Sequence, residues 1–397
     1  MTIETPPAPP RGTRPRNRRA LIISAAAELF YRHGYDKVAM SDVADVMNVR
    51  PSALYRHFSG KPQLLTAVVL AEIEPFSQVL AADDPLDRVV PRLVGVALDH
   101  RRLGVLWQRE ARALPADKNA ILRRELRTTA GRLTSVLRSE RPELDAADAD
   151  LLSWSTWSVL NSVGHNSVEC SKGEYESLLT EIIRLILAFT PGREVAFPNV
   201  TPRTGGGGRF TPQARREKLL AAAVPLFAVR GYAGVSMEDI GAQAGITGPS
   251  VYHYFSSKQD ILYAAIVRGD EWLRQGMHRA LARATDARDA LYGLIDSYVD
   301  FATDGNGLID ILISDVRHLA PDLRARVVQT QQDYLGEWQH LLRQVHPETT
   351  AMQARARIHA ALAIVNDIAR TPRLREQPGA RAVVRDIALL ALLGDHR

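Results

Sequence analysis

Apolar residues along this chain recur mostly at helical spacing. Near the N-terminus Ile22, Ala26, Leu29 and Phe30 form one such stripe, and Gly34 ends the helix it predicts. A short helix comes next over 40–47, then a tight turn at Asn48, a residue type that tolerates left-handed backbone. The run "SALYRHFSGK" (52–61) reads as a third helix. Leu54 and Phe58, spaced i and i+4, face inward, leaving Tyr55, Arg56 and His57 outside and Lys61 beyond a Ser-Gly break. After it, helices are predicted near 63–74, 86–103, 104–113, 117–139, 146–169 and 174–189, with Pro75, Pro115 and Pro142 as punctuation. No strand–turn–strand signal interrupts them, so the fold class is all-α.

The pattern is then written again. Tyr55 and Tyr252 lie 197 positions apart, and without a gap the same offset carries Arg18 onto Arg215, Phe30 onto Phe227, Gly34-Tyr35 onto Gly231-Tyr232, Met40 onto Met237 and Lys61 onto Lys258. An ungapped match over about fifty residues is a duplication, and two copies are too few and too long for a solenoid. The second copy has its stripe at Leu219, Ala223, Leu226 and Phe227, a short helix over 237–244, a turn at Gly245 and the run "SVYHYFSSK" (250–258). There Val251 and Phe255 face inward and Tyr252, His253, Tyr254 and Lys258 stay outside. Helices are then predicted near 259–284, 287–303, 306–319, 322–345, 351–371 and 378–393. Between the copies "PGREVAFPNVTPRTGGGGRFTP" (191–212) is a Gly/Pro linker, spanning roughly 25 Å on average at about 5–6 Å per square root of residue number. The expected domains are a disordered basic arm (1–15), a helix–turn–helix head (16–62), a helical regulatory domain (63–190), the linker (191–212), a second head (213–259) and a second helical domain (260–397).

Composition narrows the function. The chain has 397 residues, ordinary hydrophobic content (46%) and a net charge of +5. No apolar run looks long enough to span a bilayer, and "MTIETPPAPPRGTRPRNRR" has no apolar core of a secretory signal. The single cysteine, Cys170, closes no internal disulfide, which fits a reducing cytoplasm. Residues 1–62 carry ten Lys/Arg against five Asp/Glu, and residues 203–260 seven against four. Five of the first ten are Arg11, Arg14, Arg16, Arg18 and Arg19, an arm suited to phosphates or a minor groove. A phenol, a guanidinium and an imidazole on one small face, beyond a turn between short helices, suit phosphates and base edges of a duplex. A polar solvated face is the blander reading, and repetition in register weighs against it. Enzyme chemistry finds no support. There is no HExxH, no Cys–His or Ser–His arrangement, and the GGGG at 205–208 lacks a following Lys-Ser/Thr, so no cofactor or metal is expected.

The stripe, the "GY", the short helix, the turn and "LYRHF…K" or "VYHYF…K" closely resemble the TetR family of bacterial transcriptional regulators, in both copies. The resemblance implies that the third helix enters the major groove, with Tyr55, Lys61, Tyr252 and Lys258 on phosphates. It implies Arg50, Ser52 and Arg56, then Thr247, Ser250 and His253, as base readers, with His57 and Tyr254 in either role. Arg16 and Arg18, just past the arm, join the expected DNA contacts. The copies differ. Ser236, with Asp239 three residues on, and Thr247 are N-caps in the second head, where the first has Ala39 and Arg50. Each missing cap typically costs about 1 kcal/mol. Heads so unlike imply an operator that is not a clean palindrome.

The resemblance also gives the helical parts two jobs, enclosing a small-molecule pocket and forming a four-helix interface. The interface helices are 146–169 with 174–189 and 351–371 with 378–393. Two such pairs in one chain make a covalent pseudo-dimer, with a homodimer also open, or else the stripes only fill their own cores. A second internal match, at offset 205, pairs Glu110 with Asp315, Arg112 with Arg317, Asn161 with Asn366 and His165 with Arg370. These are either pocket residues or intradomain ion pairs and surface groups. Trp107, Trp154 and Trp157 are core aromatics or pocket walls; Trp154 and Trp157 share a helix face with Asn161 and His165. "VLWQREARAL" and the doubled length resemble tandem TetR regulators of actinobacteria, among them repressors of lipid-transport (mammalian cell entry) operons. That implies a repressor released by a lipid, a sterol or an acyl-coenzyme A, for whose anionic head Arg101, Arg102 and Arg109 are candidates. The competing reading is a constitutive or architectural DNA-binding protein without a sensor.

Overall fold

The computed structural model describes residues 17–82, 84–165, 171–192, 213–304 and 307–394. Every regular element among them is helical. The chain divides into two compact units, Met1–Leu187 and Ala188–Arg397, here called modules 1 and 2.

Module 1 opens with α1 (Arg18–His33), α2 (Met40–Val46) and a single turn α3 (Pro51–Leu54). Phe30, Val43, Leu54 and Phe58 fill the space among them and are fully buried. The long α4 (Lys61–Ala81) leaves the head and enters the helical domain that follows, packing on α1 and on α7 (Ala116–Glu140). Around it lie α5 (Leu86–Asp99) and α6 (Arg102–Val105), the latter continued by a π segment (Leu106–Glu110) and a 3-10 turn (Ala111–Ala113). α8 (Ala146–Ser162) packs on α7, and α9 (Lys172–Ala188) is tied to the rest by Lys172–Asp99 and by Arg141 donating to the Leu187 carbonyl.

Module 2 repeats the order. Its head is α10 (Arg215–Arg230), α11 (Met237–Ala244) and α12 (Gly248–Val251). α13 (Lys258–Arg283) connects to α14 (Ala287–Thr303), α15 (Leu308–Ser314), a 3-10 turn (Val316–His318), α16 (Pro321–Val345), α17 (Ala351–Ala369), α18 (Pro372–Arg375) and α19 (Ala380–Leu393). α17 and α19 lie against each other, and Tyr298, Phe301, Tyr334 and Trp338 form an aromatic cluster between α14 and α16.

Several expected boundaries move. Pro75 does not end a helix: α4 runs through it, as α5 runs through Pro91 and α10 through Pro225. Burial of α4 on several sides offsets the hydrogen bond a proline cannot donate. Carried through Pro75, α4 becomes long and apolar enough to cross a membrane by length and composition, with mean hydropathy 1.5, which corrects the expectation of no such run. Its apolar residues are those of a core helix, for most of them are buried inside the protein. The expected helix over 104–113 is three kinds of turn in succession, because a π segment widens the coil by one residue and re-aims the turn after it. The helix expected over 146–169 ends at Ser162, with a 3-10 turn from there to His165. The third helix of each head is one turn long instead of running through the tyrosine.

Candidate nucleic-acid interface

Both recognition segments begin at a residue held in the left-handed region, Asn48 (φ 54°) or Gly245 (φ 66°). Proline near the start of each short helix fits the first turn, where its missing N–H has no helical partner to lose. After Leu54 the chain leaves the helix but stays in hydrogen-bonded turns, with the His57 and Phe58 amides donating to the Leu54 carbonyl at 2.9 and 3.0 Å. In module 2 the Tyr254 and Phe255 amides donate to the Val251 carbonyl at 3.0 and 3.1 Å. Phe58 and Phe255 plug the core beneath, so the tyrosines are pushed out: Tyr55 is 56% exposed, Tyr252 52% and Tyr254 38%.

Arg50, Ser52, Tyr55, Arg56 and His57 thus form one exposed row, and Thr247, Tyr252, His253 and Tyr254 another, with Ser250 half-buried at its edge. Arg18 lies half-buried at the start of α1, and Arg16 lies outside the described residues. Donors on guanidinium, imidazole and phenol groups along one row match the phosphate and base-edge acceptors of a duplex.

Lys61 and Lys258 stand apart from these rows. The Lys61 ammonium donates to the Tyr35 carbonyl at 2.7 Å and lies 4.3 Å from the Tyr35 ring centroid. Lys258 donates to the Tyr232 and Val235 carbonyls at 2.8 and 2.6 Å and lies 4.3 Å from the Tyr232 ring centroid. Burial lowers the pKa of both ammonium groups. Their place in this structure is a clamp between the first turn of the connecting helix and the Gly-Tyr loop, not the exposed row. A lysine stem long enough to reach a phosphate is also long enough to fold back onto carbonyls, and spacing cannot tell the two apart.

Spacing alone also does not single out Arg19 and Arg216, another pair at offset 197. Their guanidinium carbons lie 5.1 Å from the Phe58 ring centroid and 4.7 Å from that of Phe255. Each lays an exposed cation on the aromatic plug that carries the tyrosine row.

The caps divide as expected at the second helix. Ser236 accepts from the Asp239 amide at 3.0 Å while Asp239 accepts from the Ser236 amide at 2.9 Å. Those hydrogen bonds from Ser236, backbone first, hold the Asp239 carboxyl below its ordinary range. In module 1 only half the motif survives, the Asp42 carboxylate accepting from the Ala39 amide at 2.8 Å. Thr247 does not cap α12. Its hydroxyl pairs with that of Ser250 at 2.8 Å, so two expected base readers hold each other. Ser257 caps α13, where module 1 has Gly60.

The expected ligand residues scatter. Glu110 is fully buried, and its Oε2 accepts the Tyr35 amide at 2.8 Å while Arg109 donates to its Oε1 at 2.7 Å. It therefore sits at the joint between the head and the helical domain that follows it. Asp315, buried at the matching place, adds to the charge that raises the pKa of Tyr232, behind burial and Asp260. Asn366 accepts the Tyr298 hydroxyl at 2.9 Å, and burial pushes that phenol up to about 12. Trp157 is buried with its ring 5.2 Å from that of Phe76, as a core aromatic; Trp107 and Trp154 are half-buried. Asn161 brings its main-chain carbonyl against Gly104, where a Cβ would lie 2.3 Å from that oxygen. His165 closes the 3-10 turn after α8. Module 2 has an open groove of ≈ 1990 Å³ along α13 and α14, reaching Arg216 and Tyr254; neither Asp315 nor Asn366 lines it. Among the described residues no cluster of His, Cys, Asp and Glu has metal-binding geometry.

The profile of the bacterial regulatory proteins of the tetR family matches residues 22–68 and 219–265, covering both heads and the start of both connecting helices. The chain is similar to the "HTH-type transcriptional activator FasR" of Mycolicibacterium smegmatis, at 36% identity over 24% of this chain and 43% of the relative. It is similar to the "HTH-type transcriptional repressor KstR2" of the same organism, at 35% identity over 21% of this chain and 40% of the relative. It thus spans less than half the length of these two curated relatives. A solved TetR family transcriptional regulator, PfmR from Thermus thermophilus, matches at 22% identity over 44% of this chain and 96% of that one, with a TM-score of 0.39. The chain thus carries two stretches that match the DNA-binding domain of the tetR family, each followed by the same order of helices.

Proposed function

We propose that the chain is a sequence-specific, DNA-binding transcriptional regulator that reads an asymmetric operator with two unlike heads. The observation that carries this is the exposed tyrosine-centred row, built twice on the same buried plug. Arg50, Ser52, Arg56 and His57 offer head 1 strong guanine and phosphate donors; Thr247, Ser250, His253 and Tyr254 offer head 2 hydroxyls and a single imidazole. Cleavage footprinting of the full chain on its own upstream DNA, with stoichiometry measured alongside, tests it. Two unlike protected half-sites are expected, and equal binding to a symmetrised site of either half would overturn the asymmetry. The stoichiometry separates one chain per operator, a covalent pseudo-dimer, from two chains, a homodimer.

Release by a small hydrophobic or acyl-coenzyme A-like effector, acting on a repressor, is the companion reading. It rests on the helical regulatory domains and on relatives that include one activator and one repressor. A thermal-shift series with fatty acyl and steroid coenzyme A esters tests it, since a sensor is stabilised by the ligand that also weakens operator binding. For module 2 one observation favours the sensorless alternative: the fully buried Trp338, packed against Tyr298 and Tyr334, fills the place between α14 and α16 with the protein's own rings.

A further inference from the structure

Each head meets its regulatory domain at the Gly-Tyr loop, and the two joints differ in most contacts around a buried carboxylate kept at one matching place, Glu110 and Asp315. In module 1 the Tyr35 amide donates to buried Glu110, the Tyr35 carbonyl accepts from Lys61, and Arg109 bridges Glu110 to the Tyr31 carbonyl at 2.7 and 3.3 Å. Arg102, at the start of α6, pairs with Glu28 of α1 at 3.3 Å and with buried Glu72 of α4 at 3.2 Å. His100 closes on Glu72 at 3.1 Å. Head 1 is thus held by carboxylates and guanidiniums of low exposure, where hydrogen bonds to charge are strong and directional.

In module 2 the residue at the place of Arg102 is Gly307, and the one at the place of Glu28 is Pro225. Gly307 has φ 77°, and a Cβ there would lie 2.8 Å from the Ala228 Cβ, so α10 and α15 meet by close packing. The His318 ring stacks on Tyr232 at 5.0 Å, and Gln259 of α13 donates to the His318 carbonyl at 2.9 Å. His318 Nε2 also lies 3.9 Å from buried Asp315, at the place of Glu110, so module 2 keeps that carboxylate but has a glycine contact where module 1 has the Arg102–Glu28 pair, and adds ring stacking on the loop tyrosine.

We propose that Glu110 is the positioning residue of head 1 and His318 that of head 2, so that each regulatory domain sets its own head through its own joint. Glu110 lies at the end of the π segment and grips the main chain of the loop that Lys61 grips from α4. A shift of that segment is therefore passed to the angle between α1 and α4, and from there to the tyrosine row, without passing through module 2. The effect on DNA rests on the DNA-binding reading; the effect on the loop does not.

The test uses the full chain and three variants, Glu110→Ala, Glu110→Gln and His318→Ala, with hydrogen exchange of residues 31–38 and 228–235 and footprinting of each half-site. In Glu110→Ala, exchange over 31–38 should rise about tenfold or more, the factor carried by a lost hydrogen bond to a charged group. Residues 228–235 should stay at the wild-type rate, and protection should weaken at the head 1 half-site alone. Glu110→Gln keeps an acceptor for the Tyr35 amide but not the charge facing Arg109, so its exchange should fall between wild type and Glu110→Ala. His318→Ala should loosen 228–235 and the other half-site. Wild-type exchange over 31–38 in both Glu110 variants, or equal loosening of both loops, overturns the proposal. Should Glu110→Ala not fold, Glu110→Gln at the wild-type rate overturns it by itself. A wild-type chain that protects no DNA at all defeats the DNA-binding reading instead, while the exchange result still decides the joints.

Discussion

Head 1 and head 2 share an offset, a core, a glycine that ends the first helix and a clamp lysine, yet differ at the turn and at the caps of the second and fourth helices. Head 2 turns at Gly245, caps α11 with Ser236 and caps α13 with Ser257. Head 1 turns at Asn48 and has Ala39 and Gly60 at the same caps. Head 2 also brings α11 and α12 together at Gly241, where a Cβ would lie 2.8 Å from the Ile246 carbonyl, while head 1 has Ala44. Both arrive at the same exposed row. The shared outcome is therefore held by the common parts, the buried Phe58 or Phe255 and the lysine on the Gly-Tyr loop, and local signals tune stability around it.

The largest break between the modules should appear with pH. Module 2 buries Asp270 on α13 where the offset of 197 gives Ile73 in module 1, and desolvation pushes that carboxyl up to about 7. In the unfolded chain the same group ionises near 3.8. Between those values the unfolded state gives up the proton first, so raising the pH across that window weakens module 2. The shift corresponds to about 4 kcal/mol as an upper figure. Asp270→Asn should remove this slope, read as the pH dependence of thermal unfolding from about 4 to 7; an unchanged slope would discard Asp270 as its source.

Next in size is the tyrosine pair. Tyr55→Ala with Tyr252→Ala should weaken operator binding about a hundredfold, at about 1.5 kcal/mol for each hydrogen bond to a charged phosphate. Each single change should affect one half-site only. Retention of wild-type binding by the double variant at physiological salt would remove both rows from the interface.

Lys61→Met sharpens the reading of the clamp. It should lower stability by about 1–2 kcal/mol, as for a lost hydrogen bond to a charged donor. The slope of log affinity against log salt should stay as in wild type, whereas a lysine on a phosphate would reduce it by about one. The smallest effect is the exchange of caps: Ala39→Ser should stabilise head 1 by about 1 kcal/mol in thermal unfolding by completing the motif that Asp42 half makes.

Much of the heads was legible in sequence because a duplication prints its own control. Leu54 and Phe58 pointing inward, Asn48 and Gly245 turning the chain, and the Ser236–Asp239 cap all arise from local chemistry. Where tertiary contact decides, spacing was silent. Pro75 stays inside α4 because α4 is packed on several sides. Thr247 is a local case: its hydroxyl has two partners within three residues, the backbone and Ser250, and spacing does not choose between them. Glu110 was legible as a residue kept polar in both copies, but its target, a main-chain amide 75 positions earlier, leaves no periodic trace. Lys61 folds back onto carbonyls 25 and 26 positions away for the same reason.

Arg19 and Arg216 lie across their aromatic plugs before any duplex arrives. A free arginine loses rotamer freedom when it docks, whereas a guanidinium already laid on a ring has lost much of it during folding. The two heads therefore carry preorganised cations at the same corner, and the advantage should show as slower dissociation from the operator.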